Sequence, residues 1–122
     1  MHNGRAERIR IYGIDCPERG QPYGTKARQF TSDRVLEKMV TVVLKDTDKY
    51  GRTVARISMP DGSDLGTELV KAGLAWWYKH YSPHDTELEK LEREARGAKR
   101  GLWKESNPVP PWEWRHAARS GT

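Results

Sequence analysis

The chain has 122 residues, enough for one domain with a modest core, and no apolar run approaches the ~20 residues that a membrane-spanning helix needs. Apolar residues make up 35% and charged residues 32% of the sequence, so its five tryptophans and five tyrosines must supply much of the buried surface. The net charge of +5 favours a polyanionic partner, and the single cysteine excludes an internal disulfide and a cysteine-only zinc site.

The turn dipeptide Asn3-Gly4 stands close to the start of the chain. Asn-Gly is the dipeptide most typical of a two-residue hairpin, because both residues tolerate a positive φ. A hairpin needs a strand on each side, but only Met1 and His2 precede this turn. Two interpretations remain: a frayed end, or, as we prefer, a chain that lacks a strand once paired with residues 5–14.

The first predicted element is a strand that ends in a charged turn. Ile9 and Ile11 share one face while Arg10 lies on the other, which is the period-2 pattern of a half-buried strand. The pattern breaks at residues 15–18 (DCPE), where Pro17 has a fixed φ and biases the residue before it towards extended geometry. An arginine followed by two closely spaced carboxylates is a cluster suited to phosphate and to a hard cation.

Helices and strands are then predicted in turn. Apolar residues recur on one face of residues 25–38, which predicts a helix. β-branched residues at 39–45 and alternation at 52–59 predict two paired strands. A short helix is expected over 65–72, with Asp64 as its cap.

The last third of the chain contains the longest predicted helix and an unusual tail. Residues 74–78 are an extended aromatic segment, whose rings either pack in the core or stack on bases. The long helix covers residues 84–99. Strands and helices without βαβ regularity predict an α+β fold, with one domain over residues 1–103. Residues 104–122 are predicted to be an extended Pro/Trp-rich tail anchored by Trp112 and Trp114.

The stretch 46–52 (DTDKYGR) contains a second group of functional candidates. Gly51 permits a sharp turn, so Arg52 would start its strand at a defined position. Together with Arg10, Arg52 could place two guanidinium groups around one phosphate. Two arginines, a carboxylate base and a bound cation would suffice for attack of water on phosphorus. From residue types alone, a surface network of salt bridges remains the alternative.

These stretches resemble the staphylococcal nuclease (thermonuclease) family. The resemblance lies in residues 10–18 (RIYGIDCPE), 21–24 (QPYG), 48–52 (DKYGR) and 69–75 (LVKAGLA), and in a long helix ending at 101–103 (GLW). The tail resembles the C-terminal extension of bacterial members. The resemblance implies an OB-fold-type five-stranded barrel with three helices, and calcium-dependent hydrolysis of DNA and RNA.

The resemblance also implies a role for each matching residue. Glu18 corresponds to the family's general base for water, and Arg10 and Arg52 correspond to its phosphate-binding arginines. Asp15 corresponds to a calcium-ligating aspartate. Cys16 stands where the family usually has a threonine that ligates calcium through its main-chain carbonyl. Further residues match positions that approach the nucleotide, namely Asp48, Lys49 and Tyr81.

The first two strands of the family, which supply another calcium-ligating aspartate, have no counterpart in this sequence. Calcium prefers about six to eight oxygen ligands, so we expect a weakened calcium site. We also expect a barrel that is incomplete at its N-terminus and has an exposed sheet edge. Such an edge favours pairing or strand exchange with a second copy, as a homodimer.

The first hypothesis for function is a calcium-dependent endonuclease that acts on single-stranded or unwound DNA or RNA. The second is a non-catalytic nucleic-acid-binding or assembly module with the same fold and an impaired metal site. A third is a fragment of an active enzyme. The Arg10, Glu18 and Arg52 set favours the first hypothesis, because a binding module does not need Glu18. No signal peptide is evident, and the sequence leaves open the compartment and the choice between DNA and RNA.

Overall fold

The computed structural model describes residues 9–35, 40–47, 53–80 and 82–119, and the architecture below is that of these residues. They form five short strands and four α-helices, which confirms the predicted α+β class. None of the helices in these ranges is long and apolar enough to cross a membrane. In chain order the elements are β1 (Ile9–Ile11), β2 (Ile14–Asp15), α1 (Gly24–Val35), β3 (Thr41–Thr47), β4 (Thr53–Ser58), α2 (Leu65–Lys71), β5 (Trp76–Trp77), α3 (Thr86–Gly97), a 3-10 helix (Gly101–Lys104) and α4 (Pro111–Arg119).

The strands belong to two small sheets. In the three-stranded sheet β4 lies in the centre, parallel to β1 and antiparallel to β3. The strands β2 and β5 form a separate antiparallel pair, in which Asp15 lies opposite Trp76. Within the described ranges the two sheets do not close into a barrel, which agrees with the predicted incompleteness of an OB-type fold. The edge strand β3 exposes Val42 and Val43.

The core lies where three helices meet the sheets. Leu65, Leu69 and Val70 of α2 are fully buried, and α2 contacts α1, α3 and β4. Ile14 of β2 and Leu88 of α3 belong to the same apolar cluster. Burial of such side chains contributes about 1.5–3 kcal/mol each. The small sheet that carries Asp15 is therefore attached to the best-packed part of the molecule.

Two helices start at aspartate caps. The Asp64 carboxylate accepts a hydrogen bond from the Thr67 amide at 2.9 Å, and the Asp85 carboxylate accepts one from the Leu88 amide at 3.0 Å. These bonds satisfy amides that have no partner inside the helix. The helices predicted over 65–72 and 84–99 are confirmed, with slightly shorter bounds.

The predicted extended conformation of the tail is wrong, whereas the three helices expected of the domain over residues 1–103 are present in its described part as α1, α2 and α3. Residues 104–122 include α4, a fourth α-helix, which begins at a proline. Proline suits the first helical position, because its missing N–H would have no partner there and its φ is already helical. No proline follows within the helix, so it can continue. The predicted Trp112 anchor is confirmed by ring contacts with Trp76 at 5.6 Å and Tyr78 at 5.2 Å, whereas Trp114 is 36% exposed.

Candidate active site

The strand β2 fixes the first carboxylate of the site, Asp15. Two residues before Asp15, the Gly13 carbonyl accepts a hydrogen bond from the Tyr78 amide at 2.8 Å. Gly13 has a φ of +76°, and a Cβ at this position would collide with the Leu88 side chain and press on Ser82. Only glycine lets the chain turn so sharply here without strain. The main chain is therefore held in place two residues before Asp15.

A buried amide side chain holds the second carboxylate residue, Glu18. The Glu18 amide donates to Gln21 Oε1 at 2.8 Å, and the Gln21 amide donates to the Glu18 carbonyl at 2.9 Å. Gln21 is 7% exposed, and its Nε2 donates to the Val109 carbonyl at 2.5 Å. A Cβ on Gly24 would collide with the Glu18 carbonyl, so glycine is required there as well. The turn after β2 is thus fixed to helix α1 and to the segment before α4.

The carboxylates of Asp15 and Glu18 converge on one guanidinium group, that of Arg115 in α4. Arg115 Nη2 donates to Asp15 Oδ2 at 2.7 Å, while Nη1 donates to Glu18 Oε2 at 2.6 Å and to Asp15 Oδ1 at 3.3 Å. Partial burial lowers the pKa of Arg115, but the hydrogen bonds and charges of the two carboxylates outweigh this and raise it above its ordinary value. The planar guanidinium matches both carboxylates at once, which makes this the strongest kind of ion pair.

Arg10 lies beside the same turn. Its Nη2 donates to the Ile14 carbonyl at 3.3 Å, and its guanidinium lies 4.6 Å from the centre of the Tyr78 ring. The Tyr78 ring also stacks on Trp112 of α4, at an interplanar angle of 27°. Contacts of this kind orient a guanidinium before a ligand arrives. One aromatic stack therefore connects Arg10 with the helix that carries Arg115.

Cys16 lies between the two carboxylate residues. Burial of the thiol, followed by the negative charge of Asp15, raises the pKa of Cys16 from 9.0 to about 12, although the positive charge of Arg10 acts in the opposite direction. The thiol is protonated near neutral pH and is therefore a poor nucleophile. The main-chain carbonyl of Cys16 remains as the group that can face a hard cation.

Comparison with known proteins bears out the resemblance seen in the motifs. The family profile described as "Staphylococcal nuclease homologue" matches residues 8–105. The chain belongs to the staphylococcal nuclease family. An "Uncharacterized endonuclease" of Escherichia coli O157:H7 is 43% identical over 116 residues, which cover 95% of this chain and 75% of that protein.

Two further relatives of this staphylococcal nuclease homologue have more specific names. A "Micrococcal nuclease" of Shigella flexneri is 36% identical over 129 aligned residues, which cover 98% of this chain and 74% of that protein. The "Staphylococcal-like nuclease CAN1" of Arabidopsis thaliana is 43% identical over 114 residues, 93% of this chain and 35% of the larger plant protein. The same fold unit therefore occurs in bacterial and plant nucleases.

The structure brings together half of the residues that the sequence proposed for the site. Those that lie around the turn after β2 are Arg10, Asp15, Cys16 and Glu18. The others lie outside the described residues, and their roles stay predictions: Asp48, Lys49, Arg52 and Tyr81. Sequence reasoning missed Arg115. Its only local signal is the spacing of Trp112 and Arg115 after a helix-starting proline, which places them on one helix face.

The oxygen donors around the turn are of the types that calcium prefers, but the described residues offer fewer of them than calcium takes. Carboxylate and main-chain carbonyl oxygens are the ligands that calcium prefers, and it takes about six to eight of them. No group of three or more His, Cys, Asp or Glu side chains in the described ranges is arranged to hold a metal ion. Asp15 and Glu18 are moreover both engaged by Arg115. These two carboxylates can therefore ligate a cation only when further oxygens join them.

Proposed function

We propose that this chain is a calcium-dependent endonuclease that hydrolyses phosphodiester bonds of DNA or RNA in single-stranded or unwound segments. As a member of the staphylococcal nuclease family it is a nuclease, with nucleic acid as its substrate. The observation that carries the finer proposal is the convergence of the Asp15 and Glu18 carboxylates at one point. A cation and a general base are both needed at such a point for water to attack phosphorus.

In this proposal Glu18 is the general base. Its side chain is 37% exposed and can meet water, whereas the Asp15 side chain is only 10% exposed. The water oxygen forms a bond to phosphorus, its proton passes to a Glu18 carboxylate oxygen, and the bond from phosphorus to the leaving oxygen breaks. A positioned base contributes about 10²–10⁴-fold to the rate. Gln21 supports this role, because it fixes the main chain of Glu18.

The two proposed phosphate-binding residues are Arg10 and Arg52. Arg10 is oriented by the Ile14 carbonyl and the Tyr78 ring, so its guanidinium can stabilise charge on the phosphate oxygens without large rearrangement. The role of Arg52 rests on its match to the family motif. The same match assigns contacts with the nucleotide to Asp48, Lys49 and Tyr81.

Asp15 and the carbonyl of Cys16 are the proposed calcium ligands in this part of the chain. Calcium supplies, when bound, positive charge beside the phosphate oxygens. Asp15 suits the task because its carboxylate is held by β2, and Cys16 contributes an oxygen that does not depend on its side chain. With few ligands from the described residues, we expect weak binding of calcium.

One contact favours a second candidate function, a non-catalytic nucleic-acid-binding or assembly module. Arg115 engages the carboxylates of both Asp15 and Glu18. In that arrangement one Glu18 oxygen is occupied and the carboxylate is a weaker base, although Arg10 can still bind phosphate. The two functions differ in whether Glu18 affects cleavage.

A homodimer through the open sheet edge remains part of the proposal. Val42 and Val43 are exposed on the edge strand β3, and unpaired edges favour association with another strand. Sedimentation velocity at increasing concentration tests this point. A compact monomer at every concentration would contradict it.

The deciding experiment is cleavage of single-stranded DNA by the wild type and by Glu18→Gln, each with calcium and with a chelator. Glu89→Gln is the matched control, because Glu89 is an exposed residue of α3. We expect calcium-dependent cleavage by the wild type and the control, and a loss of about 10²–10⁴-fold in Glu18→Gln. Equal cleavage by all three proteins would remove Glu18 from the mechanism, and binding of DNA without cleavage would support the second function.

A further inference from the structure

Helix α4 is attached to the site at two points on one of its faces. Trp112 packs on the rings of Tyr78 and Trp76, and Arg115, three residues later, reaches the carboxylates of Asp15 and Glu18. Residues spaced three apart lie on the same side of a helix. The aromatic contact and the ion pair therefore form or separate together, as one docking surface.

Arg115 provides the positive charge that the two carboxylates need. The Asp15 side chain is only 10% exposed, and a buried carboxylate without a partner is strongly unfavourable. Both oxygens of Asp15 accept hydrogen bonds from the same guanidinium. With α4 docked, the Arg115 guanidinium compensates one of the two negative charges of the pair without a metal ion.

A divalent cation would have to compete with Arg115 for these carboxylates. Calcium lies about 2.3–2.6 Å from its carboxylate oxygens. Arg115 Nη2 already lies 2.7 Å from Asp15 Oδ2, and Nη1 lies 2.6 Å from Glu18 Oε2. A cation that took the same positions on these oxygens would displace the guanidinium, and at any other position on the two carboxylates it would be repelled by the charge of Arg115. The two positive groups therefore compete for the pair.

We propose that Arg115 and a divalent cation are alternative occupants of the Asp15–Glu18 carboxylate pair, so that docked α4 closes the site and a bound cation releases α4. The inference deepens the proposed function, since it rests on the assignment of a calcium site to Asp15. It makes α4 an internal inhibitor, and it makes Arg115 the residue that sets the calcium concentration at which the site opens.

Coupling between two such events is reciprocal. If α4 weakens calcium binding by some factor, then calcium must weaken the docking of α4 by the same factor. Removing the guanidinium should therefore raise calcium affinity, and adding calcium to the wild type should free α4. Both effects are measurable without any cleavage assay.

The first measurement is calcium affinity by isothermal titration calorimetry, on the full chain. The variants are Arg115→Gln and, as a control of equal charge change, Arg93→Gln at an exposed position of α3. We expect Arg115→Gln to bind calcium roughly 10- to 100-fold more tightly, because charge-assisted hydrogen bonds no longer compete. Arg93→Gln should match the wild type.

A second variant reaches the same result through a different contact. Trp112→Ala removes the aromatic half of the docking surface and leaves the guanidinium and both carboxylates in the chain. We expect it also to tighten calcium binding, by a smaller factor. Circular dichroism identifies any variant that fails to fold. If one of the two variants does not fold, the calcium affinity of the other still tests the inference.

The second measurement is hydrogen exchange of the wild type with and without calcium. We expect the amides of residues 112–119 to exchange faster when calcium is bound, while those of the core helix α2 do not. Unchanged exchange in α4 together with equal calcium affinity in Arg115→Gln and the wild type would overturn the inference and leave the calcium site intact. If none of the proteins binds calcium, both the inference and the calcium part of the proposed function fail.

Discussion

Arg115 and Glu18 are 97 positions apart in the chain and meet at 2.6 Å between Nη1 and Oε2. This contact joins the C-terminal helix α4 to the turn after β2, and Asp15 completes it on the other nitrogen. Removing one partner of such a pair leaves the other charge uncompensated. Arg115 therefore stabilises the geometry of the two carboxylates even as it occupies them, and the sequence around Glu18 alone cannot reveal this.

Arg10→Lys should lower kcat/KM for single-stranded DNA by roughly 10- to 1,000-fold, because lysine keeps the charge but loses the planar pair of donors that suits phosphate oxygens. Arg19→Lys is the matched control, since Arg19 is exposed in the neighbouring turn. Initial rates over a range of substrate concentrations measure the effect. Equal losses in the two variants would show that position 10 has no special role.

Gln21→Leu should reduce the free energy of unfolding by about 1–3 kcal/mol, because it leaves the Glu18 amide and the Val109 carbonyl without their side-chain partner. Urea denaturation followed by tryptophan fluorescence measures the change. Gln29→Leu at an exposed position of α1 is the control and should alter stability by less. If the two variants are equally stable, the buried amide does not hold the turn.

Asp64→Ala should destabilise the protein by about 1 kcal/mol, because the Thr67 amide at the start of α2 loses its acceptor. Asp64→Asn should retain most of the stability, since asparagine is an equally good cap. Thermal unfolding of both variants checks this. If asparagine is as damaging as alanine, the role of Asp64 is its charge, which faces Arg56 at 3.9 Å.

Cys16 should react with iodoacetamide roughly a thousandfold more slowly in the folded chain than in urea at pH 8, because its pKa is raised to about 12 by burial and by Asp15. A raised pKa means that the thiolate appears only at higher pH, so the rate should rise about tenfold per pH unit between pH 8 and 11. Mass spectrometry over time measures it. A folded rate equal to the unfolded rate would contradict the burial of the sulfur.

Much of the fold could be predicted because its signals are local. Asp64 and Asp85 are capping residues next to apolar periodicity, and the helices that they start are found nearly where they were predicted. The alternation in β4 likewise depends on neighbouring residues alone. The pairing of β1 with β4 is a contact between distant segments, and residue pattern does not encode it.

The tail shows where such reasoning fails. Its prolines predict an extended chain, but Pro111 occupies the one helical position that favours proline. Once α4 was missed, nothing could place Arg115 near the carboxylates. Ion pairs between distant segments depend on the completed fold. The motif therefore identifies Arg10 and Glu18, but it does not identify Arg115.

The separation between Arg115 and Glu18 also sets an order of events during synthesis. A ribosome adds about 5–20 residues per second, so roughly 5–20 s pass between the two residues. Over that interval the growing chain contains Asp15 and Glu18 but not yet the arginine that pairs with them. The two carboxylates are therefore made well before their partner, and the ion pair can form only after Arg115 has been added.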